Sequence, residues 1–89
     1  MPYIKQTYRD RLEPALQNLI KELAGHNLLI SGVITYLITR LILNYLGPRP
    51  TYESIAVAVG ILETAKLELY RKLGAPYENS KIDENGDVY

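Results

Sequence analysis

Arg40 is the only charged residue between Ile30 and Leu46. A guanidinium set in so apolar a stretch must meet a carboxylate, a cluster of carbonyls or a bound anion, because burying it unpaired is strongly unfavourable. Its fork of donors fits carboxylate or phosphate oxygens two at a time. Arg71, Tyr36 and Tyr70 supply a second guanidinium and two hydroxyls, so these four residues form a candidate site for a small anionic ligand. The competing reading is structural and is preferred: Arg40 paired with Glu63, Glu68, Glu78, Asp87 or the terminal carboxylate, holding the tail or a dimer together.

Other constellations fall short of chemistry. Asp83, Asn85 and Asp87 alternate like the first ligands of a calcium loop, which also needs Gly sixth and a bidentate carboxylate twelfth. Gly86 is fourth, and the sequence runs only to Tyr89. Glu53, Glu63 and Glu68 invite comparison with two-metal sites, but those draw carboxylates from two facing helices, and the segment around Arg40 contributes no acid. His26 follows Gly25 at a helix end, where a cation favours the helix dipole and capping outweighs ligation. With one His and no Cys, the chain has no thiol nucleophile, disulfide, Cys-ligated zinc or two-histidine metal site. No catalytic residue, metal or cofactor is expected.

The elements that must position these residues follow from Gly and Pro at Gly25, Gly47-Pro48, Pro50, Gly74 and Pro76. They cut the chain into three apolar-periodic segments and a tail. In the first, Ile4, Tyr8, Leu12, Leu16, Leu19, Ile20 and Leu23 recur at helical intervals and predict a helix over about 8–25. Thr7 and Asp10 have the spacing of a capping box, and Gly25 is the expected left-handed stop. Pro14 either kinks this helix or begins it. The second segment is rich in β-branched residues, yet its length favours a helix over 31–46. Apolar nearly all round, it is expected at the centre and covered on several faces. Three helices cannot cover it alone, which predicts a homodimer in which its exposed side meets its copy.

The third segment predicts a helix over 51–73, with Thr51 as cap, Ile55, Val59, Leu62, Ala65, Leu69 and Leu73 as its stripe, and Gly74 as its stop. Glu68 and Lys72 make an expected surface pair. Ala56 and Gly60 give a small-residue face open to another backbone. The tail over 75–89 reads as extended, with Asn85-Gly86 as a turn. Its Tyr77, Glu78, Asn85, Gly86, Asp87 and Tyr89 are the candidate interaction residues.

Eighty-nine residues suffice for one small all-α domain, here three helices with an extended C-terminal tail, 1–89 in all. Ten basic and ten acidic residues cancel, which gives no footprint for nucleic acid. The cancellation hides a separation: +1 for residues 1–27, +2 for 28–50, 0 for 51–73 and −3 for 74–89. Acidic tail and positive remainder can therefore neutralise each other within a chain or across a dimer. Leu28 to Leu46 is interrupted by Ser31, Thr35, Thr39, Arg40 and Asn44, so no membrane span is expected. Without a secretory signal the chain is expected in the cytoplasm. All eight aromatic residues are Tyr, which suits half-buried positions and interfaces.

Met1-Pro2-Tyr3-Ile4, Ile38-Thr39-Arg40-Leu41, Lys66 to Lys72, Ala75-Pro76-Tyr77-Glu78 and Glu84-Asn85-Gly86-Asp87-Val88-Tyr89 resemble a family of small prokaryotic and phage proteins, a domain of unknown function. The resemblance spans nearly the whole chain and is most specific at the closing Asn-Gly-Asp-Val-Tyr. It implies a shared fold and brings no mechanism. The function expected is that of a small non-catalytic structural or adaptor protein working through protein–protein contacts, as a homodimer or with another protein. The alternative is a binding module or enzyme for a small anionic ligand at Arg40.

Overall fold

The computed structural model describes residues 2–89; Met1 lies outside them. Among the described residues every regular element is helical: α1 (Gln6–Gly25), α2 (Ser31–Leu46), α3 (Tyr52–Leu69), a π-helical turn (Tyr70–Gly74) and α4 (Ala75–Asn85). Among the described residues no helix is long and apolar enough to cross a membrane.

α1 begins at Gln6 without a side-chain cap and carries Pro14 inside it. Thr7 and Asp10 do not form the expected box. Thr7 is already helical, and Asp10 instead accepts from Gln6 Nε2 at 2.8 Å. The stop also differs from expectation. Gly25 is the last helical residue, and the left-handed position falls on Asn27, with φ of 56°. There Leu28 N–H donates to Leu23 O at 2.8 Å and Asn27 N–H to Ala24 O at 3.4 Å, the paired bonds of a Schellman closure. Asn is the residue besides Gly that takes this conformation most readily. Leu23, at the carbonyl end of that closure, is one of the two buried residues among those described, at 6% exposed.

α2 covers 31–46 as the sequence predicts, and Gly47, with φ of 74°, ends it. Its β-branched and polar residues are accommodated by bonds one turn back: Thr35 Oγ1 to Ser31 O at 2.9 Å, Thr39 Oγ1 to Thr35 O at 2.8 Å and Asn44 Nδ2 to Arg40 O at 2.9 Å. α3 starts with reciprocal capping: Ser54 N–H donates to Thr51 Oγ1 at 3.1 Å, and Thr51 N–H to Ser54 Oγ at 2.8 Å.

The C-terminal region overturns the extended tail. Gly74 does not stop the third helix; it keeps helical dihedrals (φ −69°, ψ −51°), and the chain runs on into α4. The physical reason lies in Pro76. Inside an α-helix its ring would clash with the carbonyl four residues back. The wider π turn, in which Ala75 N–H reaches the Tyr70 carbonyl five residues back, moves that carbonyl ladder aside just before the proline. Gly74 serves the same turn, because the Tyr70 ring lies where a Cβ would be, with Cδ2 at 2.5 Å. α4 then closes at Gly86, with φ of 91°, leaving only 86–89 non-helical.

The packing is open. α2 and α3 touch each other, α4 follows α3 through the π turn, and no Cα of α1 comes within 8 Å of a Cα of another helix. α2 is therefore not central. Val33 and Leu37 near its start and Ile42 and Leu46 near its end are half-buried, the two pairs on opposite sides of the helix, whereas Ile34, Ile38, Leu41, Leu43 and Tyr45 stay exposed. The expected α3 stripe is exposed as well, at Ile55, Val59, Leu62, Leu69 and Leu73, and the residue that buries is Ala58. Gly60 has no neighbour where its Cβ would stand, so the small-residue face meets no backbone of its own chain.

Candidate functional site

Arg40 finds no carboxylate among the described residues. Its Nη1 donates to the Tyr36 hydroxyl at 3.1 Å, one helical turn away, and its guanidinium carbon stands 5.9 Å from the centre of that ring. The expected intrachain partners are engaged elsewhere or face elsewhere: Glu63 pairs with Lys66 at 3.1 Å and Glu68 with Arg71 at 2.6 Å. The pairing of Arg40 with a carboxylate of its own chain is thus not formed.

Arg71 belongs to a different cluster. Its Nε and Nη2 both donate to Glu68, and the Tyr3 hydroxyl donates to the same Glu68 Oε1 at 3.0 Å. This replaces the expected Glu68–Lys72 pair, because Arg71 one residue earlier offers two donors in the geometry a carboxylate accepts. The hydrogen bonds from Arg71 and Tyr3 hold the Glu68 carboxyl below the usual carboxylate range. The bond to Glu68 raises the Tyr3 phenol above its usual range. Together these contacts pin the non-helical Pro2–Lys5 segment to α3 across a hollow of about 460 Å³ that Thr64 and Leu67 also line.

Tyr70 falls in a third place. It lines a hollow of about 500 Å³ with Glu78, Asn79, Ile82 and the end of the chain, Asp87 to Tyr89. Asp87 accepts from Tyr89 N–H at 2.8 Å, a local turn beyond α4 in which Val88 and Tyr89 stay exposed. Within α4, Lys81 reaches Glu84 at 3.2 Å and lies 5.7 Å from the Tyr77 ring centre. Of the candidate anion set, then, Arg40 and Tyr36 are brought together, while Arg71 and Tyr70 go to separate neighbourhoods. The tail residues Glu78, Asn85, Gly86, Asp87 and Tyr89 share one hollow, and Tyr77 is not among its walls. His26 sits 3.1 Å from Glu22, an exposed pair at the end of α1. Among the described residues no three His, Cys, Asp or Glu gather where they could hold a metal ion.

Sequence reasoning missed the Tyr3–Glu68–Arg71 cluster, which joins residues 65 positions apart. No local spacing marks such a contact. A weak signal existed in Glu68 and Arg71 at i and i+3, a pair close enough on a helix to interact.

The dominant surface feature is apolar. The chain exposes 8017 Å², against about 5,300 Å² for a compact monomer of its mass. Its radius of gyration is 17.1 Å, against about 12 Å for a compact domain of its length. Comparison with curated proteins and with solved structures gives no match. A family model does match residues 1–88, nearly the whole chain and the same span that carries the resemblance seen in its sequence, and the protein therefore belongs to the family described as a domain of unknown function, DUF6899.

Proposed function

We propose that this protein is a small non-catalytic structural or adaptor protein that works through protein–protein contacts, and that its first partner is a second copy of itself. The observation that supports this reading is the absence of a core within one chain: among the described residues only Leu23 and Ala58 are buried, while leucines, isoleucines and tyrosines of every helix remain exposed. Burying apolar area is the dominant favourable term in folding. A chain that satisfies its backbone in helices and leaves its apolar stripes open obtains that term by association. Surfaces of this kind mark interaction sites. The surroundings of Arg40 support contact over catalysis: its side chain is exposed, held by Tyr36, and lines neither of the two hollows described above.

Sedimentation equilibrium at micromolar concentration tests the reading. A mass of two chains is expected. A folded species with the mass of one chain overturns it.

A further inference from the structure

α1 has twenty residues and an apolar stripe, yet of that stripe only Leu23, at its closing turn, is buried by its own chain. Tyr8, Leu12, Leu16, Leu19 and Ile20 are between 39 and 59% exposed along that stripe. Isolated helices of this length are marginal in water even in favourable sequences, and Pro14 in the interior, which removes a backbone donor and crowds the preceding turn, weakens this one further. A helix with that handicap persists because something packs along it.

Area identifies the occupant. The excess over a compact monomer is about 2,700 Å² per chain. Two chains that each bury this much remove on the order of 5,400 Å², which lies at the upper end of obligate homodimer interfaces. A contact of α2 with its copy falls far short. A helix of that length is about 24 Å long and about 10 Å across, so one face offers only a few hundred Å² per chain. Matching the excess requires the α1 stripes as well, and the faces open to receive them are those of Ile34, Ile38 and Leu41 on α2 and Val59 and Leu62 on α3.

We propose that each α1 is seated across the α2 and α3 faces of a second copy of this chain, the two copies exchanging arms about a two-fold axis. This rests on the self-association reading above and names the surfaces that carry it. A two-fold relation lets one contact serve twice, since each chain both offers an arm and receives one.

Isotope-filtered methyl spectra on a mixture of labelled and unlabelled chains test it. Intermolecular effects from the methyls of Leu12, Leu16 and Ile20 to those of Ile34, Ile38, Val59 or Leu62 are expected. A dimer in which the only intermolecular effects join α2 to α2 overturns arm exchange while leaving self-association standing, whereas a monomer by sedimentation overturns both. Leu16→Asp is expected to weaken dimerisation at least tenfold, and Asn18→Asp, on the opposite side of α1, to leave it unchanged. Equal dimer affinity for Leu16→Asp and the parent chain also overturns the proposal.

Discussion

Single residues here act by fixing chain direction at places where the helices themselves do not touch. Glu68 is the clearest case, accepting from Tyr3 and Arg71 together. Its carboxyl is lowered by those bonds, so the stabilisation it gives is complete above the ordinary carboxylate value and is lost as pH falls through the depressed one. Tyr3 is raised by the same contact, so its share is complete below the ordinary phenol value and is lost as pH climbs past it. The N-terminal segment is therefore expected to stay pinned across the neutral range and to loosen at both extremes. Tyrosine ring-carbon titration by NMR checks this: Glu68→Gln should bring Tyr3 back down toward an ordinary phenol, and an unchanged Tyr3 titration would remove Glu68 as the cause. Asn27 fixes direction through its backbone instead, at φ 56°. Asn27→Val should cost about 1–2 kcal/mol, the penalty for a side chain that tolerates the left-handed region poorly. Asn27→Gly should change stability by only a few tenths. Urea melts at one fixed protein concentration separate the two. The sequence marks the helix end to within two residues but assigns the left-handed turn to Gly25, because Gly carries the stronger prior. Only the geometry of the closure reveals that Asn27 takes the role.

At the scale of elements, apolar periodicity carries most of what is legible. α2 is read correctly because its length outweighs its β-branched composition, and the start of α3 because Thr51 caps it. α4 is missed because its residues are polar and because Gly74 and Pro76 both read as terminators. The pattern that favours it is local and electrostatic: Tyr77 and Lys81 at i and i+4, and Lys81 and Glu84 at i and i+3, all of which interact. What joins α4 to α3 is the π turn, and there the Tyr70 ring occupies the space a Cβ at position 74 would need. Gly74→Ala should therefore destabilise the protein by about 1–2 kcal/mol, as overpacking does. In a Tyr70→Ala background the same change should stabilise by about 0.5–1 kcal/mol, the usual gain from replacing a helical glycine. A double-mutant cycle in urea measures the coupling. Additive effects would mean that the ring swings away freely and that Gly74 has no part in holding the turn.

For the whole molecule the decisive quantity is the surface that one chain leaves open. The sequence anticipates this from an argument about α2, whose apolar circumference exceeds what two other helices can cover. In the structure the shortage is wider, since the stripes of α1 and α3 are open too. Periodicity says which residues seek burial but not whether the burying surface lies in the same chain, and for that reason the positions of the three apolar helices were legible while helix packing was not. If folding and self-association are one event, stability must depend on concentration. Unfolding one dimer to two chains gains about 1.4 kcal/mol for each tenfold dilution, the free-energy equivalent of a factor of ten. With a urea dependence of about 1–3 kcal/mol per molar, the midpoint of the melt should fall by roughly 0.5–1.4 M for each tenfold dilution. Circular dichroism melts across two decades of protein concentration measure this directly. A midpoint that stays constant would mean that each chain folds alone and associates afterwards, and the exposed stripes would then need another covering. A midpoint that shifts, with sedimentation tracking the loss of helix, would place the core of this protein between its chains.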